Sequence, residues 1–387
     1  MTSVRVCYVA NCAINFALEG HNIASVGIIQ AAIQSGIDAQ VVTLEKSQSS
    51  SRQGFYPIKT LSERGNRTSY FPSVGELMSS VPAMFFTKAL DCDIIHLLNV
   101  TKEIFSAIRM PLRIKTPCIA HLYHSYLPFL SYTSFKFRLL LIKLGIFDHI
   151  FSSNTSLTNY LTREGLSADR IHYVPYPVDV EKFKPRNKGK LRETYGFLSN
   201  TPVISYVGSI DPNRGFFTLL KAFKEVLKEF PQALLHICHP GRKGDDYLYV
   251  PFYQFVHQKF GGRIIIQGPN PLIEEVYSLA SVVALPFEQP YWIIDPPVVL
   301  LEAMASATPI VTTPLGSIGE IGKDGENMIF SDPRDPDSLS KAIKYALRNQ
   351  DEAEKIGLNA REVAKTQFSQ EVVGKMLKRT YTEILEC

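Results

Sequence analysis

The chain has 387 residues, enough for two domains, and its 45% hydrophobic and 20% charged residues exclude a disordered or fibrous protein. The net charge of +4 is too small to imply a nucleic-acid partner. The excess sits in the first half, where residues 1–186 hold 19 Lys+Arg against 13 Asp+Glu. The six cysteines form no Cys-x-x-Cys pair, which suits buried free thiols in a reducing compartment. The opening MTSVRVCYVANC runs straight into a strand without the features of a signal peptide, so a cytoplasmic location is expected. The longest apolar stretch, FRLLLIKLGIF at 137–147, is interrupted by Lys143 and is too short to span a bilayer.

Short apolar runs alternate with helical patterns along the chain. Strands are predicted over 5–10, 39–44, 93–98, 118–123, 149–152 and 171–174 in the first half. In the second half they are predicted over 203–207, 233–238, 263–267, 281–285, 309–312 and 327–330. Helical periodicity lies between them, for example over 23–34 and 216–229, while the polar region 46–71 reads as a loop. Such alternation implies parallel sheets covered on both faces, and it occurs twice. The expected fold is therefore α/β, with two Rossmann-like domains facing each other across a cleft. The Pro-, Gly- and charge-rich stretch 176–190 marks their boundary, giving domains 1–185 and 186–368. Residues 369–387 form a final helix that is expected to return to the first domain, with Ser369 as its N-cap. Ligands of open parallel sheets bind beyond the carboxyl ends of the strands, so function is expected on the loops that follow them.

Two stretches carry candidate chemistry. In IIDPPVVLLEAMASATPIV (293–311), Asp295 can cap a helix whose first turn takes Pro296 and Pro297. Glu302 then falls two turns in, among apolar neighbours. A carboxylate buried there needs a partner, either ligand hydroxyls or a structural donor. In ISYVGSIDPNRGFFTLLKAF (204–223) a strand ends at Gly208 and a helix opens near Gly215. Backbone amides at a helix start favour anions, and Arg214 just ahead could grip a phosphate. Alone, either feature could equally be a structural acid or a tight turn.

Together, about 90 residues apart, the two stretches resemble the retaining GT-B glycosyltransferases of family 4. The likeness extends to GSIGEIGKDGENMIF (316–330) and, in the first half, to DCDIIHLLN (91–99), TPCIAHLYHS (116–125), DHIFSSNTSLTNYL (148–161) and DRIHYVPYPVDVEKFKP (169–185). It implies a sugar transfer from a nucleotide diphosphate sugar to an acceptor hydroxyl, with the second domain holding the nucleotide. Glu302 matches the acid that binds the ribose hydroxyls, and Arg214 the cation on the diphosphate. Gly20, with Glu19 and His21, lies where backbone amides meet the phosphates. Gly208 and Ser209 stand in the turn ahead of Arg214. Leu315, Gly316 and Ser317 match a loop that encloses the phosphates, and His124 a histidine near the reacting carbon. Asp295 is the acid nearest the sugar.

Three positions depart from the family pattern. Ser209 replaces a second phosphate cation, Ile294 stands where the sugar-contacting Glu belongs, and Tyr176-Pro177 replaces Asn-Gly. DCD (91–93) and DPD (335–337) look like metal-binding Asp-x-Asp, but the first precedes a strand and the second starts a helix, so no metal is expected. No cofactor beyond the donor substrate is expected either. The partners implied are the nucleotide sugar and a glycan or lipid-linked acceptor. From Lys102 to Lys143 there are seven basic residues and one acid, interleaved with leucines. Peripheral contact with an anionic membrane at its inner face is therefore expected. Two other readings stay open at this stage: a catalytically impaired GT-B-shaped binding protein, and a nucleotide-sugar epimerase.

Overall fold

The computed structural model describes residues 4–10, 20–43, 59–60, 92–98, 115–123, 143, 145, 147–198, 200–239, 254–268, 270, 272–289 and 294–386. The chain divides into two compact units, residues 1–177 with 370–387, and residues 178–369.

Unit 1 carries β1 (Arg5–Ala10), β2 (Asp38–Thr43), β3 (Lys59–Thr60), β4 (Ile94–Leu98), β5 (Cys118–Leu122), β6 (His149–Ser152) and β7 (Ile171–Tyr173), with helices α1 (Gly20–Gln34) and α2 (Thr155–Arg163). The strands pair in parallel in the order β3-β2-β1-β4-β5-β6-β7. Runs such as Ile94–Leu98 are buried along their whole length, as a sheet covered on both faces requires. Register at the amino ends is pinned by Asp93, which accepts from the Arg5 N–H at 2.9 Å and its guanidinium at 2.8 Å. That aspartate is thus engaged structurally.

Unit 2 carries β8 (Val203–Val207), β9 (Leu234–Cys238), β10 (Ile264–Gln267), β11 (Val282–Leu285), β12 (Ile310–Thr312) and β13 (Ile329–Phe330), in the order β10-β9-β8-β11-β12-β13 and again parallel. Its helices include α3 (Lys188–Thr194), α4 (Phe216–Leu227), α5 (Ile273–Ser278), α6 (Val298–Ala305), α7 (Ile318–Ile321), α8 (Pro336–Arg348) and α9 (Gln350–Gln367). One apolar cluster joins α4 and α8 to the sheet through Phe216, Leu219, Phe223, Leu339 and Ile343. Asp335 caps α8 by accepting from the Asp337 and Ser338 amides.

All twelve expected strands are present within two residues of their expected ends. β3 was not anticipated, because two residues carry no period. The unit boundary falls eight residues before the expected one. Segment 178–185 is tied into unit 2 by the Val178 N–H on the Phe368 carbonyl at 2.7 Å, and by Arg361, which donates to the carbonyls of Phe183 and Val180.

The last helix, α10 (Gln370–Glu386), belongs to unit 1 and packs on α1. Its Gln370 accepts from Gln34 at 2.9 Å and donates to Gln30 at 3.1 Å. Its buried Tyr381 reaches two strands: the hydroxyl is 3.0 Å from the Tyr8 hydroxyl and 2.5 Å from His96 Nδ1. His96 stacks on His121 with ring centroids 5.3 Å apart, and His121 Nε2 lies 2.9 Å from the Val174 carbonyl. His96 Nε2 and His121 Nδ1 find no partner among the described residues.

Burial holds both rings neutral. It drives His96 well below the usual histidine range and His121 down to about 3. An unfolded histidine takes up its proton near about pH 6.5, so the unfolded chain binds protons that the folded one refuses. The stability these rings allow is complete above that pH and is lost as pH falls. We expect amide protection in β4 and β5, corrected for intrinsic exchange, to drop by several kcal/mol between about pH 7 and about pH 5. Constant protection over that range would refute neutral burial.

Candidate functional site

The residues singled out in unit 2 gather on the loops after three neighbouring strands, β8, β11 and β12. Gly208 follows the end of β8, and Arg214 closes the short 3-10 turn over Pro212–Arg214, whose start Asp211 caps by accepting from the Asn213 amide. A Cβ on Gly208 would lie 3.3 Å from Arg214 Nη1, so the missing side chain leaves room for the guanidinium. No acceptor among the described residues takes a hydrogen bond from that half-buried guanidinium. The Tyr206 hydroxyl holds the Ser209 carbonyl at 2.6 Å.

Gly215 follows with φ +70 and serves as the N-cap of α4, without a side-chain cap. A Cβ there would collide with the Pro286 carbonyl oxygen, so the loop after β8 rests directly on the loop after β11. The Glu288 N–H on the Asn213 carbonyl at 3.0 Å joins the same two loops. Thr313 links the third by donating to the Phe287 carbonyl at 2.6 Å. The three loops are therefore one continuous rim.

Asp295 is buried, and its position corrects the expectation of a helix cap. Pro297 is the N-cap of α6 and makes no side-chain cap bond. The Asp295 carboxylate instead accepts from the Ser317 N–H at 3.1 and 3.2 Å and from the Ser317 hydroxyl. Gly316, at φ +59, lets the loop come this close, since a Cβ there would stand 2.8 Å from Asp295 Oδ2. Asp295, Gly316 and Ser317 are thus one contact, and Leu315 stands half-buried beside them. Ile294 is a buried apolar side chain.

Glu302 sits on α6, 5% exposed. The protein does supply one partner: the Tyr277 hydroxyl on α5 donates to Glu302 Oε2 at 2.7 Å. Oε1 takes no hydrogen bond among the described residues. Burial pushes the carboxyl up to about 7, the Tyr277 hydrogen bond and the charge of Lys182 pull it back, and Glu274 opposes them. Glu274 is itself buried and paired with Arg186 at 3.3 Å and, more loosely, with Lys182 at 3.9 Å. Tyr277, Lys182 and Glu274 were missed from sequence. Tyr277 lies in EEVYSLASVVAL, which reads as plain core, and the pairing spans 25 residues without a period. Of the remaining candidates, Gly20 is the first residue of α1, whereas Glu19 and His124 lie outside the described residues, as does the side chain of His21.

An acid that ionises near 7 when folded and near about 4.3 when unfolded keeps its proton longer in the folded state. The associated stability is full below the lower value and is lost as pH rises through the higher one, at a cost of about 3 kcal/mol. Glu302→Gln, free of that cost, should match the wild type at about pH 4 and exceed it by about 3 kcal/mol at about pH 8. Calorimetry of the unliganded protein at both pH values checks this, and equal stability at the higher pH would rule out a costly buried charge.

Comparison with known proteins adds identity to this geometry. Residues 187–363 match the family described as glycosyl transferases group 1. Among curated relatives, the D-inositol 3-phosphate glycosyltransferase of Nocardia farcinica is 24% identical over 202 residues, covering 51% of this chain and 44% of that protein. The Corynebacterium glutamicum enzyme of the same name is 27% identical over 225 residues, covering 56% and 52%. The chain thus spans about half the length of the curated relatives it matches. Solved structures align over nearly everything. Anabaena HepE, in complex with UDP and glucose, superposes with a TM-score of 0.79 at 16% identity, covering 98% of this chain and 99% of that one. Sucrose-phosphate synthase from Thermosynechococcus elongatus gives 0.78 at 18%, covering 99% and 100%. The chain therefore has the two-domain α/β GT-B fold of these structures, and its residues 187–363 match the glycosyl transferases group 1 family.

Proposed function

We propose that the protein is a retaining, metal-independent glycosyltransferase that moves a sugar from a nucleotide diphosphate sugar to an acceptor hydroxyl. The observation that carries this reading is Glu302, a buried carboxylate with one oxygen held by Tyr277 and the other without a hydrogen bond among the described residues. A ribose diol suits that second oxygen, because charged acceptors strengthen hydroxyl donors. Arg214, without a hydrogen-bond acceptor among the described residues, and the start of α4, without a side-chain cap, favour the diphosphate. As the glycosidic bond breaks, the leaving diphosphate gains charge, and a cation and amides already in place lower the barrier. HepE is solved with UDP, which makes uridine the first base to try. Metal independence draws support from Asp93 and Asp335, which are committed to Arg5 and to the start of α8.

Titration with UDP, GDP and ADP should find one that binds. Glu302→Gln should weaken that nucleotide by at least about tenfold at about pH 8, a charge-assisted bond being worth roughly 1.5 kcal/mol or more. Arg214→Ala should lower kcat as well as affinity, since charge builds in the transition state and Ser209 supplies no second cation. Unchanged affinity in the Gln variant would make Glu302 a structural acid only.

A second reading follows from Ile294 and Asp295. The first is buried and apolar, and the second is engaged by Ser317, which favours a site without an acid for the sugar ring at this position. Under that reading the chain binds the nucleotide without transferring. Transfer of label from nucleotide sugars to a membrane extract separates the two.

For the acceptor we propose a glycan or lipid-linked hydroxyl, met at an anionic membrane by the basic segment 102–143. Most of that segment lies outside the described residues; Lys143 pairs with Glu164 at 3.9 Å, and no described helix is long and apolar enough to cross a membrane. The protein should sediment with anionic vesicles at low salt and be released at high salt, each basic residue contributing about 1 kcal/mol. Replacing Lys136, Arg138 and Lys143 with Gln should abolish sedimentation, and a wild type that stays in the supernatant at low salt would indicate a soluble acceptor.

A further inference from the structure

We propose that Tyr277 is a positioning residue for the donor: its phenol fixes Oε2 of Glu302 and favours the charged form, so that Oε1 is presented to the ribose. This rests on the reading of Glu302 as the ribose-binding acid. The geometry assigns the roles within the pair. The phenol is fully buried and stays protonated, because burial and the charge of Glu302 raise it well above the usual range. It is therefore the donor of the 2.7 Å bond and the carboxylate the acceptor.

Neither partner can drift. The Thr308 hydroxyl donates to the Tyr277 carbonyl at 2.9 Å, which anchors α5. The Ser306 hydroxyl donates to the Glu302 carbonyl, also at 2.9 Å, which closes α6. The Phe183 ring meets the Tyr277 ring edge-on with centroids 5.9 Å apart. While one carboxylate oxygen holds the phenol bond, the other is left for the ribose.

The groups that bear on the Glu302 charge come from three elements. Tyr277 and Glu274 lie on α5, Lys182 on segment 178–185, and Cys238 at the end of β9, whose thiol is pushed up to about 11 by burial and by Glu302. Of these, only Tyr277 is hydrogen-bonded to the carboxylate among the described residues. Lys182 acts at longer range and is shared with Glu274. Removing the phenol therefore removes the main interaction that favours ionisation, and Glu302 then keeps its proton to higher pH. Donor affinity falls with it, since a protonated carboxyl loses its charge-assisted bonds to the hydroxyls.

The test compares wild type, Tyr277→Phe and Glu302→Gln by calorimetric titration with UDP, with GDP and ADP as replacements, from about pH 6 to about pH 8.5. The ratio of two variants' affinities at one pH cancels the nucleotide's own ionisation. Losing the phenol bond should move the midpoint of affinity loss up by about one pH unit. Tyr277→Phe should then bind about fivefold more weakly than wild type at about pH 7 and recover to within about twofold at about pH 8.5. A purely structural role would weaken binding equally at every pH, and that result overturns the proposal, as does a Tyr277→Phe profile that overlays the wild type. The Gln variant keeps the two inferences apart. Wild-type affinity in Glu302→Gln overturns the ribose role itself, whereas weakened Gln binding with an unshifted Phe profile overturns only the role of Tyr277. Absence of nucleotide binding by the wild type removes both.

Discussion

A parallel sheet covered on both faces has no room for a charge within its strands, and this one constraint places the chemistry of unit 2. The strands β8, β11 and β12 are apolar and buried along their lengths. Every candidate group is displaced either onto the loops beyond their carboxyl ends or onto the helices that follow. The loops can be short because they support each other. Gly215 rests on Pro286, Glu288 holds Asn213, Thr313 holds Phe287, and Asp295 holds Ser317. Most of these contacts involve backbone, so the rim is rigid whatever side chains project from it.

The same constraint appears in unit 1 with the opposite outcome. There His96, His121, Tyr8 and Tyr381 lie inside the layer between sheet and helix, where a charge is unaffordable, and they remain neutral. In unit 2 the buried Glu302 sits close to the balance point, because a phenol and a distant ammonium offset part of its desolvation. One buried polar cluster resists protonation as a matter of structure. The other is poised between its two states.

Much of this was legible from the residues. Short apolar runs located twelve strands, since their burial is local and shows in the pattern. Arg214 and Glu302 could be placed by their spacing from strand ends, because loops in this topology have few alternatives. What escaped was long-range. Tyr277 and Glu302 meet across 25 residues between two helices, and nothing in EEVYSLAS distinguishes a phenol that donates to an acid from one that merely fills space. Asp295 before two prolines carries every local sign of a cap, yet its carboxylate turns to a loop 22 residues ahead. Local preference was overridden there by a glycine, Gly316, that allowed a better donor to approach. The unit boundary was displaced for a similar reason: composition marks where the chain loosens, while the Arg361 bonds to Val180 and Phe183 decide which unit holds it.

The position of α10 has a consequence for biosynthesis. A chain leaving the ribosome exposes the seven strands of unit 1 first, but Tyr8 and His96 receive Tyr381 only after more than 280 further residues have been added beyond His96. Unit 2 has all of its segments once Ser369 has emerged. The unit translated second is thus the first that can be finished, and the early sheet must wait with an open apolar face until the last helix arrives. Vectorial synthesis here runs against the order of assembly, and the interval between the two is when unit 1 needs protection from other chains.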